Sequence, residues 1–349
     1  MLKQPVTPLL INALLVLCLT PVGLINKVYA QPPQQATSGE SARGIQLYNQ
    51  GRDKEAVAAL RAATKKNEND AEAWHFLGLA LHHQGKPKDA RKAFERAVRL
   101  RPDYVPARAG LAYMLLLENK HKDAVKEAEQ ALNYDPQNAE ANYVVATVRL
   151  YEGAWEEVIQ RTSEISKAHP EFPAAWVLKT QALVGLFAKG HQPEGKAGGT
   201  SDFRLLGEAA ESLEKFLQLS PRGADPAMKF WREQLECLKM YASLADKTNP
   251  NPLITSYREA TMKPVILHKE RASYTEEARQ NKVQGTVVLM MIVDENGRVR
   301  SPIALKPLPH GLTESCVRAA YAMRFKPAEK DGKPVAVILS AVEFSFEIF

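Results

Sequence analysis

Prolines stand at 102, 136 and 170, 34 residues apart, and the same interval separates Ala90 from Ala124 and Ala97 from Ala131. A fixed period of this length constrains the fold more than any single residue does, because each repeat is one small unit that buries its apolar face only against the next copy. Residues 71–104 carry Trp74, Leu77, Gly78, Leu81, Ala90, Phe94, Ala97 and Pro102. The small residues Gly78, Ala90 and Ala97 let two antiparallel helices approach closely, while Trp74 and Phe94 fill the space between them. Pro102 ends the second helix, since it brings no backbone donor.

This order resembles the tetratricopeptide (TPR) repeat, with Leu81 where a tyrosine is usual. The frame gives further units at 37–70 (Gly44, Ala56, Leu60, Ala63), 105–138 (Ala112, Ala124, Ala128, Ala131) and 139–172 (Ala146, Val158, Ile165). A fifth opens at Pro173 with Trp176 and Leu183, is interrupted by a Gly-rich polar insertion near 188–203, and resumes with LLGEAAESLEKFLQLSP. Asp225 to Ala245 read as one more helix, a cap for the open end, so the expectation is an all-α solenoid of about five repeats plus a capping helix over 37–245. In the TPR family the first helix of each unit lines a concave groove. The resemblance places Tyr48, His75, His82, His83, Tyr113, Tyr143 and Tyr151 there, a set of hydrogen-bonding aromatics that either receives an extended peptide or helix or merely solvates an open face. A zinc site needs three or four converging donors, and nothing near His75, His82 and His83 supplies a fourth, so no metal is expected.

The N-terminus carries Lys3, an apolar run from Leu9 to Leu19, and Val28-Tyr29-Ala30 ahead of a polar stretch. This is the pattern of a secretory signal (residues 1–30) cut after Ala30, followed by a polar leader at 31–36. The alternative is an uncleaved anchor, for which Asn12, Pro21 and Gly23 make a poor spanning helix. Localisation is therefore expected to be periplasmic, with inner-membrane anchoring as the alternative; membrane association follows only if the segment is retained. The 46 Lys+Arg against 40 Asp+Glu leave a diffuse +6, so no nucleic-acid partner is expected. After cleavage only Cys237 and Cys316 remain, both set among apolar residues, and a bridge between them is open but not forced.

Residues 246–263 have the polar, Pro-containing composition of a linker, and beyond them the apolar period changes from helical to alternating. GTVVLMMIVDENGRVRSPIAL reads as strand, tight turn and strand, with Asn296-Gly297 providing the two positive φ values of a two-residue hairpin. GLTESCVRAAYAMRF reads as a helix, and KDGKPVAVILSAVEFSFEIF as a turn and a final strand. This ββαβ order over 264–349 resembles the C-terminal domain of TonB-family proteins. The matching residues are Tyr274, Ala278, Gly285, Val287, Asp294, Gly297, Val299, Leu312, Ala319, Arg324, Phe325 and Pro327; Thr275 and Met323 replace a frequent proline and tryptophan. The whole chain is thus expected to be α+β and multidomain, an all-α TPR solenoid followed by a small ββαβ TonB C-terminal-like domain.

The resemblance implies that the last strand accepts a segment of an outer-membrane transporter by β-augmentation, along an edge bearing Val335, Val337, Leu339, Val342, Phe344 and Phe346. In that strand Val335, Val337 and Leu339 are odd-numbered while Val342, Phe344 and Phe346 are even-numbered. One regular strand would turn one set away from the core, so an extra residue is expected at Ser340-Ala341.

None of the motifs H-E-x-x-H, C-x-x-C, G-x-S-x-G or G-x-x-x-x-G-K-S/T occurs, and neither an enzymatic activity nor a cofactor is expected. Two functions remain open. In the first, an exported TPR/TonB-family protein binds an unidentified peptide in its groove and docks a TonB-dependent outer-membrane receptor or secretion channel, in envelope transport. In the second, it is a periplasmic scaffold for envelope complexes with no part in energised transport.

Overall fold

A computed structural model describes residues 39–191, 202–220, 226–245, 254–255 and 257–348. The signal at 1–30, the leader at 31–36, most of the 188–203 insertion and residues 246–253 of the expected linker lie outside the described residues. The chain divides into two compact units, each described below by itself.

The repeat unit spans residues 39–149 and 160–175. Its helices are α1 (Gly39–Asn49), α2 (Asp53–Lys66), α3 (Ala71–His83), α4 (Pro87–Leu100), α5 (Val105–Leu117) and α6 (His121–Tyr134), with parts of α7 (Ala139–Tyr151) and α8 (Trp155–Ala168). The first helices of successive repeats begin at 71, 105 and 139, as the proline period requires. Asp70 and Asn138 hold equivalent places and act alike: each side chain accepts from a backbone N–H in the first turn of its helix, Ala73 at 2.9 Å and Ala141 at 3.0 Å. Small residues do what the sequence pattern asked of them. The fully buried Phe94 of α4 lies between Gly78 of α3 and Gly110 of α5, and a Cβ at either would come within 2.8 and 2.7 Å of its ring.

The C-terminal unit contains residues 150–159 and 176–348. It includes most of α9 (Pro173–Gly190), α10 (Arg204–Leu219) and α11 (Pro226–Ala242), followed by strands β1 (Ile254–Thr255) and β2 (Val265–His268) and the short α12 (Glu276–Gln280). Strands β3 (Gly285–Val293) and β4 (Val299–Lys306), helix α13 (Leu312–Ala322), and strands β5 (Arg324–Lys326), β6 (Ala328–Lys330) and β7 (Lys333–Phe346) complete it. The expected strand, strand, helix, strand order is present as β3, β4, α13 and β7. The short strands β1, β2, β5 and β6 were not foreseen; runs of two to four residues carry no readable period.

The main sheet runs in the order β1-β7-β3-β4, with β6 also paired to β7, and a two-stranded sheet joins β2 to β5. Leu289, Met291 and Val293 of β3, Leu312 and Cys316 of α13, and Val342, Phe344 and Phe346 of β7 form one core. Cys316 and Cys237 are free thiols, both buried.

The β3–β4 turn differs from the expected two-residue hairpin. Asp294 and Arg298 pair through the backbone at 2.9 Å, leaving a three-residue loop in which Gly297 alone has positive φ, at 72°. The Asp294 carboxylate accepts from the N–H groups of Asn296 and Arg298, which closes the loop without a positive φ at Asn296. Gly297 is required twice over, since a Cβ there would lie 1.9 Å from the Phe325 carbonyl oxygen.

Candidate functional site

Six aromatic rings of the repeat unit form a continuous row. The Tyr48 hydroxyl lies 3.4 Å from His83 Nε2, and His83 Nδ1 lies 3.3 Å from Asp53 Oδ1. His83 neighbours His82, whose ring meets Tyr113 edge-on with centroids 5.6 Å apart. Tyr113 leads to Tyr143 at 6.4 Å, and Tyr143 to Phe172 at 5.9 Å. First helices bring Tyr48, His82, His83, Tyr113 and Tyr143 together because a 34-residue repeat returns the same helical face to the same side.

Five of the seven sequence-derived groove residues thus stand in one row. His75 does not join it: its ring is buried against Phe76, Phe94 and Tyr104. Tyr151 is buried in the C-terminal unit. Within the row His82 and Tyr113 are half-buried, whereas the His83 ring, Tyr48 and Tyr143 are buried.

Burial governs the protonation of this strip. It pushes the Tyr143 phenol up to about 12 and, joined by the Asp53 charge, raises Tyr48 well above the ordinary tyrosine value. Burial, with His83 beside it, lowers His82 to about 4, so the His82 imidazole is neutral at pH 7. Tyr48, Tyr143 and His82 are therefore uncharged at pH 7. Phe172 was missed in the sequence because it follows α8 and has no place in the first-helix frame.

The second arrangement is the edge of β7. Along β3 its register runs from Gly285↔Phe346 to Leu289↔Val342 and resumes at Met291↔Leu339, so Ser340 and Ala341 stand opposite Met290 alone. The extra residue falls where the change of parity placed it. On the other side of β7 from β3, Ala336 and Val337 pair in parallel with Ile254 and Thr255 of β1. Val335 pairs with Ala328 of β6. From Ile338 to Phe346 no strand other than β3 pairs with β7 among the described residues.

Val342, Phe344 and Phe346 point into the core, alternating with exposed Ala341, Glu343 and Ser345, so their side chains are already engaged. What this half of the strand has left is backbone. Lys269 partly guards it, donating from Nζ to the Glu343 carbonyl at 2.8 Å and lying over the Phe344 ring at 5.0 Å.

Of the other family-type residues, Tyr274 and Gly285 lie beside this edge. The Tyr274 hydroxyl donates to the Val283 carbonyl, and its ring packs against Phe346 at 5.6 Å. Gly285 opens β3 opposite Phe346. Arg324 donates to the carbonyls of Met323 (2.7 Å) and Tyr321 (3.1 Å) at the end of α13, and Phe325 N donates to the Gly297 carbonyl at 2.9 Å. Pro327 joins β5 to β6. Thr275, where a proline is frequent, caps α12 by accepting from Ala278 N at 3.2 Å and donates to the His310 carbonyl.

Residues 52–171 match the model of the cytochrome c-type biogenesis protein H TPR domain, and residues 270–348 match that of the Gram-negative bacterial TonB protein C-terminal. The chain carries tetratricopeptide repeats and a TonB-type C-terminal domain. Both are protein-interaction families, and the TonB C-terminal domain is an envelope domain.

No curated protein matches the chain. Among solved structures, PilW, a type IV pilus biogenesis factor, is 15% identical over 61% of this chain and 90% of that chain, with TM-score 0.47. YrrB, described as a TPR protein with an unusual peptide-binding site, is 15% identical over 56% of this chain and 90% of that one, with TM-score 0.39. MamA is 20% identical over 50% and 93%, also with TM-score 0.39.

The TonB-type domain has one further device that its sequence did not announce. Between Met290↔Ile303 and Ile292↔Arg300 the β3–β4 register slips, and Ser301 takes a φ of 47°. Its carbonyl accepts from the fully buried Tyr241 hydroxyl of α11 at 2.9 Å, and that of Pro302 accepts from Gln234 Nε2 at 3.2 Å. The helix expected to cap the repeats thus satisfies two carbonyls released by a bulge in β4. No helix among the described residues is long and apolar enough to cross a membrane.

Proposed function

We propose that this is an exported periplasmic adaptor whose TPR row holds an extended peptide and whose TonB-type domain takes up a strand from an outer-membrane TonB-dependent transporter or secretion channel. The edge of β7 from Val342 to Phe346 carries this reading, because among the described residues no strand pairs with it on the side away from β3, and its outward N–H and C=O groups, apart from the Glu343 carbonyl held by Lys269, are what β-augmentation uses. The occupied first half of β7 limits a docking strand to the second half, beyond the bulge.

A second reading, a scaffold for envelope complexes without energised transport, is favoured by the hydrogen bonds of α11 to β4, which attach the expected capping helix directly to the strands. The experiment places a photo-crosslinking amino acid at Glu343 or Ser345, both exposed, in the full chain in cells. Adducts to a TonB-dependent receptor or secretion channel support the first reading, and adducts confined to envelope-assembly proteins support the second. No adducts at either position would remove the β7 edge from both.

A further inference from the structure

The net charge of +6 conceals a local concentration of cations. On the face of the repeat unit made by α2 and α4 lies a cleft of ≈ 690 Å³. Arg61 and Lys65 of α2 form one wall, and Lys92, Arg96 and Arg99 of α4 form the other. The Trp74 indole lies between them, held by donation from Nε1 to the Glu68 carbonyl at 3.0 Å. Two carboxylates, Glu68 and Glu95, also line the cleft without neutralising it. Glu95 is taken by Arg91, which pairs with Glu118 as well, and Glu68 is taken by Arg96, its carboxylate at 3.9 Å and its carbonyl oxygen at 3.4 Å. Among the described residues, Arg61, Lys65, Lys92 and Arg99 have no carboxylate within 4.0 Å.

Five cations around one recess repel each other, which a helix face with signs interspersed avoids. Their spacing indicates what relieves the repulsion. Arg61 and Lys65, like Lys92 and Arg96, are four residues apart on a helix, a rise of about 6 Å. An extended chain places side chains i and i+2 on one side about 6.6 to 6.8 Å apart and sends the intervening one to the opposite side. Two rows of carboxylates on a strand-like segment therefore meet two rows of cations, one on each wall. A bilayer is the poorer match, because a planar headgroup layer does not enter a recess.

We propose that this cleft binds an extended Asp/Glu-rich segment of a partner protein, independently of the aromatic row and of the β7 edge. The test uses the full chain and a fluorescein-labelled peptide of about eight alternating Asp and Glu residues, long enough to run along both walls. Fluorescence anisotropy should show saturable binding that weakens at least about tenfold between about 50 and 300 mM salt. The double variant Lys65→Glu, Arg99→Glu should bind at least about tenfold more weakly with unchanged helical circular dichroism, while Lys65→Arg, Arg99→Lys stays within about threefold of the parent. Equal binding by the charge-reversed variant, or equal loss in the conservative one, would overturn the proposal. So would retention on phosphatidylglycerol vesicles with no binding of the peptide, which would assign the cleft to a membrane surface.

Discussion

The aromatic row and the β7 edge occupy different compact units and offer a partner different chemistry. Along the helices of the repeat unit the backbone groups bond to one another, so side chains such as His82 and Tyr113 are what remains to make contacts. In β7 the position is reversed: Val342, Phe344 and Phe346 are buried in the core, and backbone is what is left. A surface of side chains discriminates among partner sequences, whereas a surface of backbone tolerates many. If both bind partners as proposed, one chain pairs a selective element with a permissive one.

The largest way to break this comparison is Phe94→Ala, which empties the space between Gly78 and Gly110 and should cost the repeat unit about 3 to 5 kcal/mol. Amide exchange should accelerate throughout α3 to α5 and leave β3 unchanged; uniform acceleration would show that the units do not unfold separately. Gly297→Val is its counterpart in the other unit. A Cβ meeting the Phe325 carbonyl oxygen at a positive φ should cost about 3 kcal/mol or more and release β3 and β7 while the row stays intact, again read by amide exchange.

Smaller effects sharpen the boundary. Tyr241→Phe leaves the Ser301 carbonyl without its donor and should cost about 1 to 2 kcal/mol, with protection lost first in α11 and β4. If α11 keeps its protection, its attachment to the strands is carried by packing alone.

The acid response separates the two units as well, and they should differ in the pH at which it begins. Burial lowers His75 to about 3 and His82 to about 4, from an ordinary 6.5, with Arg101 and His83 respectively adding to the shift. The unfolded chain therefore takes up these protons first. The stability tied to both imidazoles is whole above about pH 6.5 and is lost as the pH falls from there toward 4 and 3.

Asp294 behaves differently. Its burial acts to raise the carboxyl, but hydrogen bonds from Arg298 N, the Arg300 guanidinium and Asn296 N outweigh it and hold the group below its ordinary 3.8. Its contribution is present above that value and is lost only as the pH falls through the lowered one. Urea midpoints at pH 7 and 5 should therefore fall for the repeat unit and hold for the strands, with His82→Gln reducing the change. A parallel fall in both units would contradict the assignment.

Much of the architecture was legible because it repeats locally. The prolines and alanines at 34-residue intervals marked the helix pairs, and a second series went unread: Gly51, Gly85, Asn119 and Gly153 stand at the same interval, all with positive φ between paired helices. Asparagine concealed that series by taking a left-handed turn that usually signals glycine. The bulge at Ser340-Ala341 was legible for a similar reason, since a change of parity within one strand is a local fact. The three-residue turn was not, because Asn-Gly suits more than one loop and the Asp294 hydrogen bonds decided among them.

The sequence by itself determined the helix pairs, the order of strands and helix in the C-terminal unit, and which face of each element is apolar, because these follow from periods of 34, 3.6 and 2 residues. The tertiary structure decided that His75 leaves the row while Phe172 joins it, that β1 and β6 occupy half of β7, and that cations of α2 and α4 converge on one cleft. Each depends on which distant segment comes to lie beside a given face, and that is set by packing between elements, which no local period records.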